Sequence, residues 1–212
     1  MGLAEIERDI KLIRSMMESS SRYTNIPAAG YLVTGLLGGV GVWLTYGLLG
    51  GEKLADMTLL DAQDLRILGG IWVLVFLAAV GTVVFFSWRK ARQHQIAAWN
   101  SLAARMVLSQ IPVVIVAGFL TLAMARQGAV DLIPGMWLGI YGTVLYSFSY
   151  FTGFEHKIEG SLFMLLGVVA LFGPDQLALI LLGLGFGGIH LMAGIWRLLM
   201  KQGVHVSTEP IE

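Results

Sequence analysis

The chain has 212 residues, of which 56% are hydrophobic and 13% are charged, and its formal net charge is zero. Soluble domains are about 45–50% apolar and about 25% charged, so this composition indicates a membrane protein. A neutral charge balance gives no sign of nucleic-acid binding. The absence of cysteine excludes disulfides, thiolate metal sites and a thiol nucleophile.

The first predicted element is an amphipathic cytoplasmic helix within residues 1–24. Residues 3–22 contain neither proline nor glycine, and apolar side chains recur there at spacings of three and four. The helix has three open interpretations: it lies on the bilayer surface, packs on the protein's own cytoplasmic loops, or pairs with a second copy. The acidic start, without an early apolar core, is not typical of a cleavable signal peptide. The residues of this association helix are Leu3, Ile6, Ile10, Ile13 and Met17.

Six apolar segments follow, and a membrane-spanning helix needs roughly 20 such residues. We therefore predict an all-α, polytopic membrane protein with a six-helix transmembrane bundle over residues 25–200 and a cytoplasmic tail over 201–212. The predicted spans are 27–49, 67–88, 107–125, 132–152, 159–173 and 177–198.

The distribution of basic residues predicts the orientation of the spans. Eleven of the 14 Lys and Arg residues fall on one side of them. Because basic residues accumulate in cytoplasmic loops, both termini are predicted to lie in the cytoplasm. The loop 50–66 on the other side forms either a short interfacial helix or a solvated linker.

Glycine is unusually frequent, with 27 residues, and several glycines are separated by three residues within a predicted span. This spacing lets helix backbones approach closely in a bilayer. We predict helix packing at Gly35, Gly39, Gly135, Gly139, Gly183 and Gly187.

No known arrangement of catalytic residues is recognisable in the sequence, and no enzyme activity, cofactor or metal is predicted. Glu155, His156 and Glu159 are close in sequence, and a solvated turn is the preferred interpretation of them. No acidic or basic residue lies clearly in the hydrocarbon region of a predicted span, which counts against ion coupling.

His190 is the histidine at membrane depth, about 4 Å from the middle of the sixth span at 1.5 Å per residue. A polar group there must find a partner. We predict a neutral His190 bonded to the fourth span, with Tyr146 preferred, either as a clasp between helices or as a ligand site. Gly142, Gly187 and Gly194 would let these two helices approach. The face of the fourth span that offers partners consists of Thr143, Tyr146, Ser147 and Tyr150.

Four stretches resemble an uncharacterised family of bacterial six-span inner-membrane proteins whose members begin with an "IRSMMExSSR"-like cytoplasmic helix. They are Leu12–Gly38 (LIRSMMESSSRYTNIPAAGYLVTGLLG), Trp99–Phe119, Tyr150–Gly167 and Gly185–Trp196. The resemblance implies the topology and no activity. His190 falls on a histidine of the family's last span, whereas Phe154-Glu155-His156 departs from the family's pattern.

These features favour a non-enzymatic inner-membrane protein that acts by association, as an accessory subunit, a scaffold or a homo-oligomer. The alternative is a passive channel or carrier for a small or lipophilic molecule. The expected partners are the lipid bilayer and either a second copy or another membrane protein, and not nucleic acid.

Overall fold

The computed structural model describes residues 27–93 and 101–206, together with Glu7 and Ile10. Within these residues the regular elements are helices and no strand occurs, which confirms the all-α prediction. Of the predicted association helix only Ile10 is described, with an exposed side chain, and Leu3, Ile6, Ile13 and Met17 lie outside the described residues.

The helices follow one another with short connections. In chain order they are α1 (Ala28–Leu49), α2 (Gly51–Ala55), a 3-10 turn (Met57–Leu59), α3 (Ala62–Gln93), α4 (Ser101–Leu108), α5 (Ile111–Arg126), α6 (Leu132–Thr152), α7 (Phe154–Phe172), α8 (Asp175–Gly183), a π-helical segment (Leu184–Ile189) and α9 (His190–Val206).

Glycine and proline determine where several helices end. Gly50 and Gly153 have φ angles of 78° and 131°, which other residues rarely adopt, and they separate α1 from α2 and α6 from α7. Pro174 precedes α8, where its fixed φ angle suits the start of a helix. The chain therefore turns sharply between α6 and α7, and these two helices have the most extensive contact among the described helices.

Within the described residues, four helical stretches are long and apolar enough to cross a membrane. The helices predicted as the fourth and fifth spans are present as α6 and α7. They pack with the others around a shared core that includes Leu138, Leu145 and Phe163. The four stretches are Ala28–Leu49, Ala62–Gln93, Ala104–Arg126 and Asp175–Met200.

The loop after α1 folds into the protein. It contains the short helix α2, and Leu54 and Met57 are 2% and 5% exposed, so these two side chains pack inside the protein and the loop is not a solvated linker. Lys53 donates a hydrogen bond of 2.6 Å to the Asp64 carboxylate, and this bond raises the pKa of Lys53. The ion pair fixes the loop to the start of α3.

Two of the apolar stretches have little contact with the rest of the chain. Only 6% of the most apolar 18 residues are buried in Ala62–Gln93 and in Ala104–Arg126. The corresponding shares are 28% in Ala28–Leu49 and 44% in Asp175–Met200. The first and last stretches therefore belong to the centre of the bundle, whereas α3 and α5 lie at its edge.

Candidate functional site

A buried polar cluster lies at the end of the bundle where α1 and α7 begin and α6 ends. Its members come from four helices that are distant in sequence, and the cluster is the main concentration of buried polar side chains in the described residues. We call it the polar cluster. It consists of Tyr31, Tyr141, Thr152, Glu155, His156, Glu159, His190 and Arg197.

Arg197 of α9 is the cation of the cluster. Its Nη1 atom lies 2.7 Å from Oε1 of Glu159, and its Nη2 atom lies 3.2 Å from Oε2 of Glu155. The guanidinium carbon also lies 4.0 Å from the centre of the Tyr31 ring. The side chains of Arg197 and Glu159 are 9% and 10% exposed, whereas that of Glu155 is 50% exposed. A buried ion pair is therefore continuous with a partly exposed carboxylate at the bundle end.

His156 joins three helices through hydrogen bonds to both ring nitrogens. Thr152 donates its hydroxyl proton to the Phe148 carbonyl, so its oxygen accepts a hydrogen bond of 3.1 Å from His156 Nδ1. The Nε2 atom is then the acceptor for the Tyr31 hydroxyl at 3.0 Å. This accounting assigns a neutral His156 with its proton on Nδ1.

His190 forms a second pair with a tyrosine, deeper in the bundle. Its Nε2 atom lies 2.9 Å from the Tyr141 hydroxyl. Four aromatic rings surround the imidazole, with centroids 5.4 to 6.1 Å away. His190 is thus a polar group enclosed by aromatic side chains. The rings belong to Tyr31, Tyr141, Phe163 and Phe186.

The π-helical segment directly precedes His190. Its wider turn changes the regular bonding of backbone carbonyls. The His190 Nδ1 atom is buried and has no hydrogen-bond partner within the described part of the chain.

The partner of His190 differs from the prediction in detail. It lies on α6, which is the predicted fourth span, but it is Tyr141 and not Tyr146. The prediction counted both residues from the outer ends of their helices. His190 is the fifteenth residue after Asp175, whereas Tyr141 is the ninth after Leu132, so equal counts did not correspond to equal depth.

The α6 residues that were predicted as partners of His190 do not face it. Thr143 and Ser147 donate hydrogen bonds to carbonyls of their own helix, and Tyr150 is 76% exposed. The Tyr146 ring contacts Tyr150 and lies 5.6 Å from Lys157 Nζ. The structure therefore does not bring these four residues to His190.

The glycines form close contacts, but between other helix pairs than α6 and α9. A Cβ atom on Gly142 would lie 2.7 Å from the Gly160 carbonyl of α7, and one on Gly194 would lie 2.8 Å from Leu32 of α1. Both were expected at a contact between the fourth and sixth spans. A Cβ atom on Gly187 would lie 3.4 Å from the nitrogen of Gly39 in α1.

The other predicted packing glycines also lie near neighbouring helices. A Cβ atom on Gly35 would lie 2.9 Å from the Gly187 carbonyl, and one on Gly183 would lie 2.9 Å from Val42. Gly135 is equally tight against Leu171 at 2.7 Å. A Cβ atom on Gly139 would meet open space. The backbone nitrogen of Gly139, however, would lie 2.7 Å from a Cβ atom placed on Gly167.

Sequence reasoning missed the charged half of the cluster. The interpretation of Glu155, His156 and Glu159 as a solvated turn is wrong, since His156 and Glu159 are 5% and 8% exposed. Two patterns in the sequence point to the arrangement. Glu155 and Glu159 are separated by one helical turn, and Arg197 follows His190 by seven residues, so each pair shares a helix face.

The cluster contains two tyrosine–histidine hydrogen bonds, and it places two carboxylates in ion pairs with Arg197. Within residues 27–93 and 101–206, no group of three or more His, Asp or Glu side chains is arranged to hold a metal ion. Comparisons with protein-family models, with curated proteins and with solved structures find no match to the chain.

Proposed function

We propose that this chain is a non-enzymatic protein of a bacterial inner membrane that acts by associating with a second copy or with another membrane protein. Its α6 and α7 cross the membrane together with the four most apolar stretches, which gives six spans with both termini in the cytoplasm. Six spans are supported by helix length, since α6 has 21 residues and α7 has 19. The charges of α7 lie in its first turns, where Arg197 compensates Glu155 and Glu159.

The observation that carries the proposal is the small buried share of α3 and α5. Only 6% of the most apolar 18 residues is buried in each, although both stretches are long enough to span a bilayer. Lipid alone can cover such faces. The positions of glycine on α3 favour a protein neighbour over lipid.

One face of α3 combines small and large residues at helical spacing. Gly70, Leu74, Leu77 and Gly81 lie at positions i, i+4, i+7 and i+11, and all are exposed. A Cβ atom on either glycine would meet nothing within 4 Å. Lipid contact does not require glycine, whereas close approach of another helix backbone does. We call this face the α3 stripe.

The test is the mass of the protein extracted gently from its own membrane, measured by native mass spectrometry. We expect a species that contains a second copy or a stoichiometric partner. Gly70→Leu with Gly81→Leu should remove that species, because the leucines obstruct the stripe. Gly47→Leu on α1 is the matched control, since Gly47 is exposed and also faces open space.

A wild-type protein that is monomeric in native membranes would contradict the proposal. So would an unchanged complex in the Gly70→Leu, Gly81→Leu variant, which would exclude the α3 stripe as the contact. Flux of a small solute in liposomes that contain the purified chain alone would favour the alternative, a passive channel or carrier.

A further inference from the structure

A shallow groove runs along the outer face of α7. Its volume is about 300 Å³, and its lining residues recur at spacings of three and four, so they share one side of the helix. All of these side chains are exposed, and the smallest of them, Ser161, lies between larger ones on the turns before and after it. We call this the α7 groove. It is lined by Phe154, Lys157, Ile158, Ser161, Leu162 and Leu165.

One end of the groove is basic. The two carboxylates in this part of α7 are directed inward, since Glu159 and Glu155 lie 2.7 Å and 3.2 Å from Arg197. Lys157 is exposed, and among the described residues it forms no ion pair. Its Nζ atom lies 5.6 Å from the centre of the Tyr146 ring. The positive charge of Lys157 is therefore open to an anion from outside the chain.

The groove becomes apolar with distance from Lys157. Ser161 lies one helical turn further along α7, about 6 Å at 1.5 Å per residue, and its hydroxyl donates a hydrogen bond of 2.8 Å to the Lys157 carbonyl. Leu162 and Leu165 follow, and they are 44% and 60% exposed. A cation at one end and an apolar surface beyond it match the order of phosphate and acyl chain in a phospholipid.

We propose that the α7 groove binds an anionic phospholipid, with the lipid phosphate beside Lys157 and an acyl chain along Leu162 and Leu165. Basic side chains at the ends of membrane helices attract anionic head groups, and a lysine stem can lie on apolar surface while its amine reaches the head groups. Tyrosine is enriched at the same level, where the rings of Tyr146 and Tyr150 contact each other. The inference rests on the proposed function, which places α7 across the membrane.

The test measures which lipid contacts α7, by quenching of a fluorescent label with brominated phospholipids in liposomes. The chain has no cysteine, so Val168→Cys gives a single labelling site on the exposed face of α7, about one turn beyond Leu165. Brominated phosphatidylglycerol and brominated phosphatidylcholine with the same acyl chains are compared. We expect the anionic lipid to bind about fivefold more tightly beside this label, because one basic residue near the surface contributes about 1 kcal/mol. The same label on Phe119→Cys, an exposed position of α5, should show no preference.

Substitutions in the labelled Val168→Cys chain connect the preference to the groove. Lys157→Gln should abolish the fivefold preference, whereas Lys157→Arg should keep it. Arg89→Gln is the matched control, since it removes another exposed cation, near the end of α3, and should leave the preference unchanged. Ser161→Leu fills the groove, so it should weaken binding of the anionic lipid to the level of phosphatidylcholine.

The possible failures are distinguishable. Equal quenching by both lipids, or a preference that survives Lys157→Gln, would overturn the lipid site and leave the proposed association untouched, because native mass spectrometry tests that separately. Quenching by neither lipid would show that α7 does not face lipid. That result would overturn the site together with the placement of α7 across the membrane.

Discussion

The part of the chain that the structure describes has two tyrosine–histidine pairs with the same chemistry and opposite surroundings. The Tyr31–His156 hydrogen bond of 3.0 Å lies beside a buried ion pair and a half-exposed carboxylate at the bundle end. The Tyr141–His190 bond of 2.9 Å lies deeper, within a set of aromatic rings. In the Tyr31–His156 pair the tyrosine donates to a neutral imidazole, because the Thr152 hydroxyl already donates to a carbonyl and accepts from Nδ1.

The difference between the pairs shows that the groups beside a hydrogen bond, charged or aromatic, determine the role of that bond. The Tyr31–His156 pair lies beside the Arg197–Glu159 ion pair, so it belongs to the charged part of the cluster. A charge on His190 would be enclosed by four rings, and burying an uncompensated charge is very unfavourable. We therefore regard the deeper pair as an uncharged clasp between α6 and α9.

The largest expected effect comes from removing the cation that distinguishes the two regions. Arg197→Leu leaves Glu159 buried without its partner and should lower the free energy of unfolding by about 3 kcal/mol. The measurement is reversible unfolding in mixed detergent micelles. Arg126→Leu is the control, because Arg126 is exposed. Arg197→Leu combined with Glu159→Leu should recover most of the loss, and a double variant as unstable as the single one would contradict this reading.

A second substitution disturbs only the deeper pair. A Cβ atom on Gly185 would collide with Leu138 and approach Phe163 to 3.0 Å, and Phe163 is one of the rings around His190. Gly185→Ala should therefore cost about 1–3 kcal/mol of stability, while the ¹⁵N signals of His156 stay unchanged. Gly188→Ala in the same π-helical segment is the matched control, since its nearest neighbour would lie at 3.9 Å. Equal losses in the two variants would show that the segment, and not the ring packing, is responsible.

The helical fold could be predicted from the sequence because a backbone that crosses a bilayer must form its hydrogen bonds internally. A long apolar run therefore predicts a helix without knowledge of its neighbours. The sequence also predicted that His190 would reach the fourth span. It did not predict Tyr141 as the partner, because helix tilt, starting level and the π-helical turn before His190 decide which residues meet, and none of these follows from residue spacing.

The charged half of the cluster was missed for a different reason. Glu155, Glu159 and Arg197 lie near the ends of apolar segments, where charged residues are ordinarily solvated, and their burial depends on helices far apart in sequence. Only the meeting of α7 with α9 turns three such residues into a buried network. Residue spacing within one helix cannot predict that contact between helices.

The smallest effects come from removing one hydroxyl from each pair. Tyr141→Phe should lower stability by about 1–2 kcal/mol, since His190 Nε2 then lacks its hydrogen-bond partner in an enclosed apolar site. Tyr31→Phe should cost only about 0.6 kcal/mol, an average value for such bonds in membranes, because its ring keeps the contact with Arg197. Unfolding in mixed micelles measures both. Adding His190→Leu to Tyr141→Phe should restore most of the stability, since an apolar pair leaves no polar group unpaired. A Tyr31→Phe loss larger than that of Tyr141→Phe would contradict this order.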